Sequence, residues 1–359
     1  MIENVVKIHG VCIKFAMESQ LVAEYVSREI EQYTNNKVYS KEENVDMFIN
    51  FYNKKFRLPA NYYRYNAETI CYGNNIAICI RAHFRHTWIV VKKDPIGKFI
   101  VSVYLDLKDS IGSEIKKVFT LNFLYPWQNS IIDFFHGIYL ILLQEKLFEQ
   151  QAIIVHAAAM FFKNRGFVLT ADAASGKSTL VDLAVKKHGF KFIAEDYCII
   201  DRNSVVTGVF NQRRIGQEHI PDRKKTVSSV ANYMFCELMR LMGKERIRIC
   251  SIDELFEEEE IIRDAKMDAI YFLNRGNEEA NAKKISTTML EIMKREIANW
   301  EGANSWLFCC NYQKVFWEKY QAILSDICSI NREVVWNIPF YKSIDEFVLD
   351  VITKIDKEV

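Results

Sequence analysis

The chain has 359 residues, of which half are apolar and 26% are charged. This is enough apolar material for a sizeable buried core, and it excludes a largely disordered chain. The 47 basic and 46 acidic side chains leave a formal net charge of +1. The composition therefore gives no electrostatic case for bulk binding to nucleic acid or to a membrane surface. The length predicts two or three domains, or one large domain with an appendage.

We expect neither a targeting segment nor a membrane-spanning segment in this sequence. The first fifteen residues lack a basic segment followed by an apolar core, so we expect no signal peptide. The most apolar stretch, residues 130–148, carries charged and amide side chains and predicts a buried helix rather than a membrane span. The nine cysteines include no C-x-x-C pair, which indicates reduced thiols in a cytoplasmic protein.

The first half of the chain predicts a β-rich fold. Residues 4–17 have the pattern of a strand, and the apolar spacing over 19–34 is helical. Two turn signals then follow, Gly-Asn-Asn within 69–82 and Lys-Asp-Pro-Ile-Gly within 87–107, each between alternating apolar residues. We therefore expect an antiparallel sheet with little helix over residues 60–125.

The second half alternates strand and helix patterns. Residues 152–162 predict one buried strand, 167–170 a second strand, and 177–188 a helix that ends at Gly189. Residues 190–200 predict the next strand. Further strands are expected near 267–276 and 332–341, and further helices near 286–297, with a capping box of Thr288 and Glu291, and near 343–355.

A phosphate-loop pattern lies between the second strand and the helix of this half. Ala171 is followed by four residues and then by Gly176, Lys177 and Ser178. In a strand–loop–helix arrangement, backbone N–H groups and the helix N-terminus point at phosphates. Lys177 then reaches the β- and γ-phosphates, and the Ser178 hydroxyl binds Mg²⁺. The alternative is a helix that merely starts with Gly-Lys-Ser.

Two adjacent acids follow the loop helix. Glu195 and Asp196 are expected near the end of the next strand, where carboxylates can hold Mg²⁺ or accept a proton from an attacking hydroxyl. The alternative is an ordinary pair of acids at a strand end, with one side chain in solvent.

A histidine and an arginine pair complete the candidates. His156 lies within an apolar strand that should neighbour the loop strand, and a buried core histidine is an equally good interpretation. Arg213 and Arg214 could clamp phosphate, or they could form an exposed basic pair. His83 and His86 would face opposite sides of a strand, so a metal site there is not expected.

Residues 153–201 together resemble the core of the HPr kinase/phosphorylase superfamily, in particular its shorter HPr-kinase-like members, some of which occur in peptide-modification gene clusters. The shared pattern is a strand with His-Ala-Ala, a hairpin, a loop ending Gly-Lys-Ser-Thr, a helix and an acid pair. The resemblance implies an α/β (α+β) fold related to phosphoenolpyruvate carboxykinases. A P-loop kinase domain with a mixed sheet and flanking helices would span residues 131–359, and a β-rich recognition domain would span 1–130.

The same resemblance implies a function. It indicates transfer of the γ-phosphate of ATP, with Mg²⁺, to a serine hydroxyl of a small protein or peptide. The catalytic set would be Glu195, Asp196, His156 and Lys177, and the metal set Ser178, Glu195 and Asp196. The nucleotide-binding set would be Ala171, Ala174, Ser175, Gly176, Lys177, Ser178, Thr179, Arg213 and Arg214.

This sequence departs from the family pattern at two of those positions. The family usually has two aspartates where this chain has Glu195 and Asp196, and a glycine where it has Ala171. Two other functions therefore stay open, namely a non-catalytic nucleotide-binding regulator or scaffold and a phosphorylase or phosphatase that uses the same site. The expected partner is a protein or peptide substrate, without nucleic acid or membrane. The hexamers of full-length HPr kinases favour a homo-oligomer.

Overall fold

The computed structural model describes residues 1–30, 44–82, 85–107, 126–171, 176–209, 212–216, 247–275, 285–299, 303–309 and 312–338, together with five positions between 346 and 353. These residues form a mixed α/β structure built on two large mixed sheets. The α/β class expected from the sequence is therefore confirmed at this level.

The first large sheet has eight strands in the order β1-β2-β3-β8-β7-β6-β5-β4. Pairing is antiparallel from β4 through β8, as predicted, but β3 pairs in parallel with both β2 and β8. The strands are β1 (Ile2–Ile8), β2 (Val11–Met17), β3 (Met47–Asn53), β4 (Tyr63–Arg64), β5 (Thr69–Tyr72), β6 (Asn75–Ala82), β7 (Arg85–Lys93) and β8 (Phe99–Leu105).

The single strand predicted over residues 4–17 is wrong. The chain instead forms the β1–β2 hairpin, which turns at His9 and Gly10. Both residues have positive φ, 46° and 86°. Glycine adopts such a conformation without steric cost, so Gly10 was the turn signal in an otherwise strand-like pattern.

Helices cover one face of this sheet. Helix α1 (Gln20–Ile30) matches the predicted helix, and α2 (Pro126–Phe134) continues through a π-helical turn (Phe135–Tyr139) into α3 (Leu140–Leu147). All eight residues of α3 are buried, which confirms the buried helix expected there. No helix within the described ranges is long and apolar enough to cross a lipid bilayer.

The second large sheet follows the order β12-β10-β11-β17-β14-β13-β9, with β18 also paired to β17. Its strands are β9 (Ala152–His156), β10 (Ala158–Phe162), β11 (Arg165–Ala171), β12 (Lys191–Ala194), β13 (Tyr197–Asp201), β14 (Val205–Gly208), β17 (Asp264–Arg275) and β18 (Arg332–Ile338). A separate ribbon pairs β15 (Gln212–Gly216) with β16 (Ile247–Ser251).

Five further helices with described bounds lie in the second half of the chain. They are α4 (Lys177–His188), α5 (Ile252–Leu255), α6 (Ile285–Asn299), α7 (Ala303–Cys309) and α8 (Gln313–Ile330). Helix α4 ends at Gly189, as predicted. Helix α6 begins three residues before Thr288, so Thr288 is not an N-cap and the predicted capping box is wrong.

Two predicted strands are each broken into two. Residues 152–162 divide into β9 and β10 at Ala157, and residues 190–200 divide into β12 and β13 at Glu195 and Asp196. Each break lies where the chain changes neighbour, because β9 pairs with β13 while β10 pairs with β12. The two breaks are consequently side by side, with Ala159 opposite Ala194 and His156 opposite Tyr197.

One hydrophobic cluster contains buried residues from both sheets and from the helices between them, among them Phe15, Val101, Phe135, Leu143, Ile199 and Tyr320. A smaller cluster lies beneath α4 and includes Leu169, Leu180, Phe192 and Tyr271. The division of the chain at residues 130 and 131 stays a prediction, and it would fall within α2.

Candidate functional site

The phosphate-loop pattern joins the end of β11 to the start of α4. Ala171 is the last residue of β11 and is fully buried. Gly176 precedes α4 with φ of 89°, a left-handed conformation that suits glycine. Ser178 and Thr179 are half-buried in the first turn of the helix. Two predicted loop residues, Ala174 and Ser175, lie outside the described residues.

Lys177, the first residue of α4, turns its side chain back towards the end of β11. Its Nζ lies 3.4 Å from the carbonyl oxygen of Ala171 and 3.4 Å from Nε2 of His156. Only 8% of the residue is exposed. Lysine is rarely buried unless a partner holds its ammonium group, so these contacts place the cation at the strand end.

His156 is the last residue of β9 and is held from several sides. Its carbonyl oxygen accepts a hydrogen bond from Oγ1 of Thr170 at 3.4 Å. Its backbone N–H donates to Sδ of Met293 at 3.0 Å. Tyr197 lies directly opposite on β13, with the two rings 5.4 Å apart. These contacts hold the backbone of His156 next to Thr170 of the phosphate-loop strand and its ring next to Tyr197.

The environment of His156 favours its neutral form. Burial, together with the positive charges of Lys177 and Arg295, lowers the pKa of His156 to about 3. The carboxylate of Glu296 would by itself favour protonation, since its Oε1 lies 3.6 Å from Nδ1. Desolvation together with two nearby cations outweighs that single carboxylate.

Glu195 and Asp196 occupy the turn between β12 and β13 rather than the end of a continuous strand. The backbone N–H of Tyr197 donates to the carbonyl of Glu195 at 2.7 Å. Asp196 has φ of 63°. Left-handed backbone costs a residue with a side chain roughly 1 kcal/mol, although aspartate tolerates it better than most. Such backbone is often found at functional turns.

The side chains that the sequence offers as metal ligands suit Mg²⁺ by the type of ligand atom that they carry. Within the described ranges, no group of three or more His, Cys, Asp or Glu side chains could hold a metal ion. Mg²⁺ in phosphoryl-transfer sites is usually held by one or two carboxylates together with phosphate oxygens and water. Glu195, Asp196 and the Ser178 hydroxyl supply only oxygen ligands, which suits such an ion.

The other sequence candidates are less informative. Arg213 and Arg214 lie in β15, opposite Cys250 and Ile249 of β16, and the positions of their side chains are not described. Their role as phosphate ligands stays a prediction. The side chains of His83 and His86 also lie outside the described part of the structure.

Glu296 contacts the candidate site but was missed in the sequence. Its Oε2 accepts a hydrogen bond from the Tyr197 hydroxyl at 3.1 Å. A sequence signal did exist, because position 296 falls at the centre of the apolar stripe of α6 formed by Met289, Ile292, Met293 and Ile297. A charged residue in such a stripe indicates a specific partner.

Comparisons with known proteins return little. No family model matches the chain, and no curated protein matches it. Matches among solved structures include the HPr(Ser) kinase/phosphatase from Coxiella burnetii, at 14% identity and a TM-score of 0.22. That match covers 37% of this chain and 64% of the other. A likeness this weak carries no argument about activity.

Proposed function

We propose that this protein is an ATP- and Mg²⁺-dependent kinase that phosphorylates a serine hydroxyl of a small protein or peptide. The observation that carries the proposal is the meeting of Lys177 with His156 and the end of β11. The β9–β13 register sets the Glu195–Asp196 turn beside the same histidine. The resemblance of residues 153–201 to HPr-kinase-like sequences supports the same chemistry.

The proposal assigns a role to Lys177, Ser178, Glu195 and Asp196. The Lys177 ammonium binds the β- and γ-phosphates, and its charge offsets the negative charge of the transferred group. Ser178, Glu195 and Asp196 hold Mg²⁺, which neutralises phosphate charge when it is bound. Asp196 or Glu195 orients the substrate hydroxyl and accepts its proton. These assignments rest on the chemistry of these side chains, on the phosphate-loop pattern at the start of α4, and on the backbone position of the Glu195–Asp196 turn next to Tyr197, the strand partner of His156.

The experiment uses ATP labelled on the γ-phosphate. Wild type, Lys177→Ala and Lys187→Ala are each incubated with Mg²⁺ and a heat-treated extract of small proteins and peptides, in which endogenous kinases are inactive. Lys187 is an exposed lysine in the last turn of the same helix and serves as the matched control. We expect acid-stable label in wild type and Lys187→Ala, and little in Lys177→Ala.

Other outcomes identify the competing functions. Equal labelling by wild type and Lys177→Ala would show that this lysine is not part of the transferring site. Nucleotide binding without transfer in any fraction would indicate a non-catalytic regulator. Release of pyrophosphate from labelled product, on addition of inorganic phosphate, would indicate a phosphorylase.

A further inference from the structure

The two ring nitrogens of His156 face groups of opposite charge. Nε2 lies 3.4 Å from Nζ of Lys177. Nδ1 is buried and has no hydrogen-bond partner within the part of the chain that the structure describes. Oε1 of Glu296 lies 3.6 Å from Nδ1, slightly beyond hydrogen-bond length. A small side-chain adjustment would close that contact.

The lysine determines which nitrogen carries the proton. An ammonium group can only donate hydrogen bonds, whereas a neutral imidazole has one donor nitrogen and one acceptor nitrogen. Because Lys177 approaches Nε2, that nitrogen is the acceptor and Nδ1 carries the hydrogen. This assignment follows from the hydrogen-bond network, as tautomer assignments must. The Nδ1–H then faces a carboxylate, which is a matching acceptor.

Glu296 is itself held towards the histidine. The Tyr197 hydroxyl donates to its Oε2 at 3.1 Å, and Tyr197 is the strand partner of His156. Helix α6 is fixed to the same strand by Met293, which accepts the backbone N–H of His156. Glu296 follows Met293 by three residues and so lies on the same helix face. Strand and helix together hold the carboxylate in place.

We propose that Glu296 is a positioning residue of this site, and that it fixes His156 in the Nδ1–H form so that Nε2 holds the Lys177 ammonium. Its relevance to phosphoryl transfer rests on the proposed function. His156 then acts as a neutral anchor for the lysine rather than as the base that accepts the serine proton. A lysine side chain has a flexible four-carbon stem, so an anchor keeps its charge where phosphate arrives.

The direct test is nitrogen NMR of the histidine rings in the nucleotide-free protein. The chain has seven histidines, so His156 is assigned by the signals that vanish in His156→Gln. In wild type we expect a protonated Nδ1 and an unprotonated Nε2. In Glu296→Leu the ring should shift partly to the Nε2–H form. Glu296→Gln should keep the wild-type pattern, because its amide oxygen can still accept from Nδ1–H.

Two further variants keep the test decisive. Tyr197→Phe removes only the hydroxyl that holds Glu296 and should cause a smaller shift in the same direction, even if Glu296→Leu folds poorly. Glu291→Leu changes an exposed glutamate of the same helix and should change nothing. A wild-type ring protonated on Nε2, or an unchanged ring in both Glu296→Leu and Tyr197→Phe, would overturn the proposal.

Nucleotide binding supplies a second readout. The affinity for ADP with Mg²⁺ should fall about tenfold in Glu296→Leu and little in Glu296→Gln, a loss typical of removing a residue that orients a ligand-binding group. Equal affinity in wild type and Glu296→Leu would overturn the positioning role. Absence of ADP binding in wild type, with the Nδ1–H form intact, would instead contradict the proposed function.

Discussion

The charge state of His156 is fixed by the residues around it. Its ring is largely buried, and the cation of Lys177 on one side makes a second positive charge unfavourable. In the unfolded chain the same ring is exposed to water and takes up a proton more readily. The stability of the fold therefore depends on pH.

We predict that His156 destabilises the protein in acid. Its pKa is about 3 when folded and near 6.5 in a model peptide. Between these pH values the unfolded state binds a proton that the folded state does not. The free energy of unfolding is therefore highest above about pH 6.5 and falls as the pH is lowered towards 3. The slope is about 1.4 kcal/mol per pH unit. Urea unfolding from about pH 7 to about pH 5 should show a steeper loss in wild type than in His156→Gln.

Two substitutions at Asp196 distinguish the cost of its backbone conformation from the chemical role of its carboxylate. Because φ is 63° there, Asp196→Ala should lower the free energy of unfolding by about 1 kcal/mol, whereas asparagine tolerates this conformation. Asp196→Asn should therefore keep near wild-type stability in urea unfolding. Both variants should lose phosphoryl transfer, since neither retains the carboxylate. Full transfer by Asp196→Asn would exclude Asp196 as the proton acceptor.

At the scale of elements, side chains form hydrogen bonds with the backbone along one edge of β9, the strand that carries His156. Gln144 accepts the backbone N–H of Ile154 at 2.6 Å and donates to the carbonyl of Ala152 at 3.3 Å. The Tyr320 hydroxyl donates to the carbonyl of Ile154 at 2.7 Å. Helices α3 and α8 thus satisfy backbone groups of β9 that a neighbouring strand would otherwise satisfy.

We predict that this edge is sensitive to loss of the amide. Gln144→Leu keeps roughly the side-chain volume but removes the amide, which leaves a buried N–H and a buried C=O without partners, each at a cost of roughly 1 to 3 kcal/mol. Tyr320→Phe leaves one carbonyl short and should cost less. Urea unfolding at neutral pH measures both. A Gln144→Leu protein as stable as wild type would show that water or a shifted strand satisfies β9.

Local pattern predicted most elements but not the points where strands change partner. Helix α4 and the β5–β6 and β7–β8 hairpins follow from local turn and cap residues. The breaks at Ala157 and at Glu195–Asp196 depend on which strands become neighbours, and that is decided by pairing between distant segments. Apolar periodicity continues through both breaks, so it predicted one strand where two exist.

The candidate site was predictable to a similar extent. Lys177 belongs to a recognisable loop pattern, and the acid pair follows the loop helix in the chain. His156 was expected in a strand beside the loop strand, which is wrong for its own segment, because β9 pairs with β13 and, of the two halves of that predicted strand, only β10 pairs with β11. Glu296 lies 140 residues beyond His156 in the chain, and only tertiary packing of α6 brings the two together. Its place within an apolar stripe was the one sequence signal for its role.

On the scale of the whole molecule, the two large sheets share a hydrophobic cluster. Phe15 of β2 lies within that cluster, with its ring 6.1 Å from Phe135 and 6.4 Å from Tyr139. Ile153 and Ile199 of the second sheet belong to the same cluster. A shared core couples the stability of its parts, because opening one part exposes apolar surface of the other.

We predict that Phe15→Ala weakens both sheets. Removing a buried phenylalanine costs about 3 to 5 kcal/mol, and hydrogen exchange should then rise in peptides of β9 and β13 as well as in the first sheet. Ile96→Ala is the control, since Ile96 is 75% exposed and should change neither region. Faster exchange confined to residues 1–107 would show that the two parts unfold independently.

The central claim is that Lys177, His156 and the Glu195–Asp196 turn form one Mg²⁺-dependent nucleotide site. Calorimetric titration of a non-hydrolysable ATP analogue tests it without a known substrate. We expect binding to wild type and Lys187→Ala that requires Mg²⁺. In Lys177→Ala the affinity should fall at least about tenfold, since a charge-assisted contact to phosphate is lost. Equal affinity in wild type and Lys177→Ala, or no binding by either, would contradict the claim.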